Sequence, residues 1–167
     1  MNDKLYRAAI EGRLFSVANQ AAVAVTAAFA TTFTGLAVGN PAGSGVDCIL
    51  VNMSFGNTVE GISVGTVGIM GAAGSITASL VPKNHMMDGA ASKCTATAGQ
   101  TIATPALWRL VGHTGTGAVT TWRAGVVSCD LNAPIVIPPG YFWATYCFAL
   151  AAASIQFSFS WEEAKSL

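Results

Sequence analysis

Ile155-Gln156-Phe157-Ser158-Phe159-Ser160-Trp161-Glu162-Glu163 is the stretch that decides the fold of this 167-residue chain. Ile155, Phe157, Phe159 and Trp161 fall on one side, and Gln156, Ser158, Ser160 and Glu162 on the other. Successive side chains of a β-strand leave opposite faces, so alternation of large apolar with polar residues marks a strand with one buried face. Upstream, residues 141–150 read as a second strand, introduced by Pro138-Pro139-Gly140. Pro sets φ for a turn and Gly permits φ > 0. These runs predict a β-hairpin over the last part of the chain.

Working outward, further strands are expected at 14–18, 22–26, 31–38, 48–55, 63–70, 76–81 and 126–131. In the run 48–55, Ile49, Val51, Met53 and Phe55 share one face and Asn52 and Ser54 the other. Residues 107–111 and 119–123 read as a hairpin around His113-Thr114-Gly115-Thr116-Gly117. Asn40-Pro41-Ala42-Gly43-Ser44-Gly45 is a loop by composition. Residues 3–11 suit a short helix stopped by Gly12. The longest irregular stretch is 82–106. The expectation is an all-β, single-domain β-sandwich or jelly roll of about eight to ten short antiparallel strands. An N-terminal helical arm, 1–13, precedes the sandwich domain at 14–167.

Composition narrows function by exclusion. Ala, Gly, Ser and Thr make up 75 of the 167 residues, and only 10% are charged. About 25% is usual for soluble domains. Charged groups are depleted at interface cores, so a surface of small neutral side chains suits contact between subunits. Five of the sixteen charges lie in the first 13 residues, and none occurs from Leu14 to Val46 or from Leu131 to Trp161. Formal net charge is zero. Nucleic-acid binding needs a basic face that makes several phosphate contacts, so no nucleic-acid partner is expected. The most apolar window, Phe142 to Phe157, is interrupted by polar residues and falls short of the roughly 20 apolar residues of a spanning helix. No membrane partner and no cleaved signal peptide are expected. The four cysteines, Cys48, Cys94, Cys129 and Cys147, have no zinc spacing. Cys48, Cys129 and Cys147 fall in apolar runs where thiols behave as small hydrophobes.

Motifs point away from catalysis. Gly61-Ile62-Ser63-Val64-Gly65 has the form of a nucleophile elbow, with Asp88 and His113 following in hydrolase order. An elbow requires a helix after its serine, and Thr66-Val67-Gly68-Ile69-Met70-Gly71 will not hold one. Gly65, Gly68, Gly71 and Gly74 read as close strand packing. His85 with Asp88 is a weak candidate for one ion, and an exposed loop histidine is the simpler reading. Asn52-Met53-Ser54 forms a sequon on an expected strand. Trp108, Trp122, Trp143 and Trp161 fit core or interface packing before a carbohydrate platform. No enzyme activity, no catalytic or metal residues and no cofactor are expected.

The segments Arg13-Leu14-Phe15-Ser16-Val17-Ala18-Asn19, Asn40-Pro41-Ala42-Gly43-Ser44-Gly45-Val46 and Ile137-Pro138-Pro139-Gly140-Tyr141, with the ending Phe159-Ser160-Trp161-Glu162-Glu163, resemble small virion proteins of tailed bacteriophages. Those are jelly-roll-like capsid decoration (cement) proteins, often trimeric. The resemblance implies a structural protein made in the host cytoplasm and carried on the capsid surface. There a homotrimer would bridge neighbouring copies of the major capsid protein. A tail, spike or lectin-like receptor-binding module on the same fold is the alternative. In this reading the helix of the arm, too short to be stable alone, docks Leu5, Tyr6 and Ile10 against a partner.

Overall fold

Eleven strands and one short helix are found among the residues that the computed structural model describes, namely 3–20, 23–25, 32–57, 64–72, 76–103, 106–114, 126–149 and 153–166. The helix α1 (Asp3–Ile10) ends at Gly12, whose φ of 70° reverses the chain. Then follow β1 (Leu14–Ala18), β2 (Val23–Val25), β3 (Thr32–Asn40), β4 (Val46–Asn57), β5 (Val64–Ala72) and β6 (Lys83–Asn84). The remaining strands are β7 (Thr95–Ala103), β8 (Ala106–Thr114), β9 (Val126–Ile137), β10 (Tyr141–Ala149) and β11 (Ala153–Lys165).

The strands form two antiparallel sheets, β6-β1-β11-β4-β9 and β7-β3-β10-β5-β8, and β2 continues the line of β1 along β11. With β1 and β2 taken as one interrupted strand, the chain changes sheet at each step from β2 to β5 and again from β8 to β11. This is a jelly roll, a double Greek key folded into two facing sheets. The chain between β5 and β8 supplies β6 and β7, which extend the two sheets beyond β1 and β3.

The expected terminal hairpin is not formed. β10 pairs with β3 and β5 in the second sheet, whereas β11 pairs with β1, β2 and β4 in the first. Alternation shows that a strand has one buried face; it does not show which neighbour shares its hydrogen bonds. Pro138-Pro139-Gly140 instead carries the chain from β9 in one sheet to β10 in the other. Gly140 has φ 92° and donates its N–H to Asn40 O at 2.7 Å.

Three further expectations are corrected. Residues 76–81 are no strand: Leu80 makes one bridge to Ala96, and Ile76 lies 3.3 Å from where a side chain on Gly39 would begin. This segment therefore crosses the outer side of β3. The stretch 82–106 is not irregular, since it holds β6 and the nine-residue β7, whose small side chains gave little alternation signal. His113 lies within β8, paired with Gly65, rather than in a turn; 119–123 falls outside the described residues.

In β4 the buried side chains are Val46, Cys48, Leu50, Met53 and Phe55. The alternation read from Ile49 and Val51 fails because the register with β11 shifts at Val51. One extra residue in a strand exchanges its faces. Opposite Val51, residues 131–134 of β9 also leave the register. They include Pro134, which an edge strand tolerates because that ladder position needs no donor. The inner faces of both sheets meet in one core around Trp143, Trp161, Phe55, Phe159, Leu36 and Leu50. Trp161 stacks on Phe15 with ring centroids 6.1 Å apart.

Candidate interaction surface

One end of the sandwich is built by α1, the 41–45 loop, the 138–140 turn and the segment 81–94. The register places them together: Leu14 faces Glu162 and Val46 faces Lys165 near the end of β11. Asn84 pins the segment to the helix exit, donating from Nδ2 to Gly12 O at 2.8 Å and to Ala90 O at 3.0 Å. Its Oδ1 accepts the N–H of Met86 at 2.9 Å. Gly89 is required here, because a Cβ would lie 2.5 Å from Asn84 Nδ2. His85 donates its backbone N–H to Leu14 O, and its Nε2 lies 2.5 Å from Ser16 Oγ. Ser16 Oγ in turn meets Ser160 Oγ at 2.7 Å. These contacts extend the first sheet by a short edge strand.

Asn40, fully buried at the end of β3, joins the two loops. Its Nδ2 donates to Val46 O at 2.7 Å and to Ile137 O at 2.8 Å.

Two buried carboxylates follow the aromatic run. Glu162, on the outer face, pairs with Arg13, which also holds Glu11 at 2.6 Å. Glu163 faces inward beside Trp161. It accepts the Ser92 hydroxyl at 2.5 Å and the backbone N–H groups of Lys93 at 3.1 Å and Cys94 at 3.3 Å. A buried carboxylate is stable only with such donors. Here it clamps the 81–94 segment onto the core. Sequence reading missed Glu163 and Cys94. The break in alternation at Glu162-Glu163 was the only available sign.

Burial, with the thiol of Cys94 and the charge of Glu163 nearby, pushes the Cys48 thiol well above its ordinary value of 9.0. The folded state keeps a proton that the unfolded chain releases. This contribution to stability is therefore intact below pH 9.0 and is lost as pH rises beyond it. Under reducing conditions, urea midpoints should fall between pH 9 and 10.5 more steeply for the natural chain than for Cys48→Ala. The difference should be at most about 1.4 kcal/mol per pH unit. Equal slopes would refute this role.

Exposed large apolar side chains gather at this end, namely Tyr6, Ile10, Val81, Met86, Met87, Val136 and Tyr141. Tyr6 and Ile10, each 55% exposed, stand one turn apart on α1, while Leu5 is half-buried and Ala8 is packed inward. Met86 Sδ lies 3.9 Å from the Cβ position of Gly12, and Met87 is 97% exposed. Twelve of the sixteen charged residues are also here. Of the other four, Arg109 and Asp130 sit in mid-strand on β8 and β9, and Glu60 and Arg123 fall outside the described residues. Exposed apolar side chains mixed with charged ones are found together in protein interfaces.

The candidate catalytic residues are not assembled by anything on view. Ser63 lies outside the described residues, Asp88 is exposed on the 81–94 segment, and His113 is in β8. Gly65, Gly68 and Gly71 stand on β5 opposite Phe148, Thr145 and Phe142 of β10. Asn52 and Ser54 lie on β4. Trp143 and Trp161 are core residues, Trp108 is on β8, and Trp122 falls outside the described residues. Among the described residues no three of His, Cys, Asp and Glu converge to hold a metal ion, and no helix is long and apolar enough to cross a membrane. In comparisons with known proteins, the chain matches no family model, no curated protein and no solved structure.

Proposed function

We propose that this chain is a structural virion protein that decorates a phage capsid, made in the host cytoplasm and working as a homotrimer that bridges major capsid subunits. The observation that carries the reading is the gathering of exposed Tyr6, Ile10, Met86 and Met87, with most of the charge, at one end of a jelly roll. Monomeric soluble proteins rarely group exposed apolar side chains in this way. The charge-poor flanks suit contact between copies, and closed rings are the usual outcome of repeated subunit contacts. The α1 end is then the face turned to the capsid. Its helix buries Ala8 and is closed at its C-terminus by the bond from Arg13 N–H to Ala8 O at 2.8 Å.

Light scattering after size exclusion should give about three times 17.0 kDa. Co-sedimentation with undecorated capsids should saturate at hundreds of copies per particle, whereas a tail or spike component would give a few to tens. The double variant Ile10→Glu, Met87→Glu should bind capsids at least about tenfold more weakly, equivalent to about 1.4 kcal/mol. Its melting temperature should stay within about 2 °C, because both side chains are exposed. A monomer that does not bind capsids would overturn the assignment. Undiminished binding by the variant would move the contact away from α1.

A further inference from the structure

Cys48 and Cys94 are 46 positions apart and belong to no motif, yet the fold brings them together. Cys48 stands on β4 directly opposite Glu163 of β11. Residues opposed in an antiparallel pair send their side chains to the same face, with Cβ atoms about 4.5–5.5 Å apart. The Glu163 carboxylate accepts the N–H of Cys94 at 3.3 Å. The backbone of Cys94 therefore lies against the side chain that neighbours Cys48. Both cysteines are free and belong to the same core cluster. Cys48 belongs to the first sheet, and Cys94 leads into β7 of the second.

We infer that Cys48 and Cys94 form a redox-closed covalent lock between the chain segment that carries β6 and β7 and the core of the first sheet. In a reducing compartment the pair stays as thiols. In an oxidising medium a small dialkyl disulfide, such as oxidised glutathione, closes it. The first cysteine sulfur attacks the small disulfide, forming a mixed disulfide and releasing one small thiol. The second then displaces the other small thiol. Two S–H bonds are lost, one S–S bond forms between the cysteines, and the two protons end on the released thiols. Both sulfurs are almost wholly buried, so exchange proceeds through local opening of the 85–94 segment before edge strand β7. The lock closes a loop of about 47 residues and stabilises by restricting the unfolded chain. The inference does not depend on the virion assignment.

The test uses the intact natural chain, incubated with oxidised or reduced glutathione, quenched with iodoacetamide and mapped by peptide mass spectrometry. Oxidation should yield a linked peptide pair containing Cys48 and Cys94, lighter by two hydrogens and separated by dithiothreitol. The melting temperature should rise by about 8–16 °C on closure. Cys94→Ser should lose both the linked pair and the rise. Full alkylation of both cysteines after oxidation in mild urea would overturn the proposal. So would a link from either one to Cys129 or Cys147, or a Cys48–Cys94 link that leaves the melting temperature unchanged.

Discussion

A chain truncated after Ala153 should yield no folded protein. The deletion removes most of β11, which lies between β4 and the β1–β2 line, so it divides the first sheet and leaves β1 and β6 without a route to β4. It also removes Phe157, Phe159 and Trp161, all but fully buried in the core. Burial of each such side chain is worth roughly 1.5–3 kcal/mol. Together they approach the roughly 5–15 kcal/mol that separates a folded domain from its unfolded ensemble. The milder change Trp161→Ala should cost about 3–5 kcal/mol, since it opens a cavity against Phe15. Soluble expression, near-ultraviolet circular dichroism and urea midpoints measure both. A soluble truncated chain with an unchanged melting temperature would show β11 to be peripheral.

Glu163→Ala should destabilise the fold by about 3–5 kcal/mol, a large effect for a carboxylate in so apolar a protein. The carboxylate meets the Ser92 hydroxyl, the N–H groups of Lys93 and Cys94 and, at 3.4 Å, Trp161 Nε1. Without it these donors are left beside a void, and the 81–94 segment loses its attachment to β11. Glu163→Gln keeps one acceptor oxygen and should lose less, as should Glu162→Ala, whose partner Arg13 is more than one-third exposed. The order Glu163→Ala, Glu163→Gln, Glu162→Ala in urea midpoints is the expected result. A Glu163→Ala protein within about 0.5 kcal/mol of the natural chain would remove the clamp from this account.

The helix at α1, its stop at Gly12 and the bounds of β1 were legible because their signals are local: a short polar–apolar period, a glycine at positive φ, an alternating run. The strands β3, β4, β5 and β9 were found with errors at their ends, since a ladder continues as long as its neighbour does. β7 was missed because Thr95-Ala96-Thr97-Ala98 carries no large apolar residue to alternate. The candidate surface was legible in part: Tyr6 and Ile10 stood out on an amphipathic helix, whereas Met86 and Met87 lay in a stretch without periodicity. Nothing in the spacing of residues marked Asn84 or Ser92 as the fasteners of that stretch.

The sequence by itself determined that the chain is mostly β, that Phe157, Phe159 and Trp161 of β11 face inward and that 41–45 and 138–140 turn, since each of these follows from period-two alternation or from the φ preferences of Gly and Pro. Only the tertiary structure decided which strands pair. A buried face accepts any apolar partner, and backbone hydrogen bonds are the same for every sequence, so the alternation of 155–163 was as compatible with a hairpin to 141–150 as with the pairing to β1, β2 and β4 that it makes. The phase change at Val51, the meeting of Cys48 with Cys94 and the seat of Glu163 follow from that pairing. They depend on contacts between residues tens of positions apart, which no local pattern encodes.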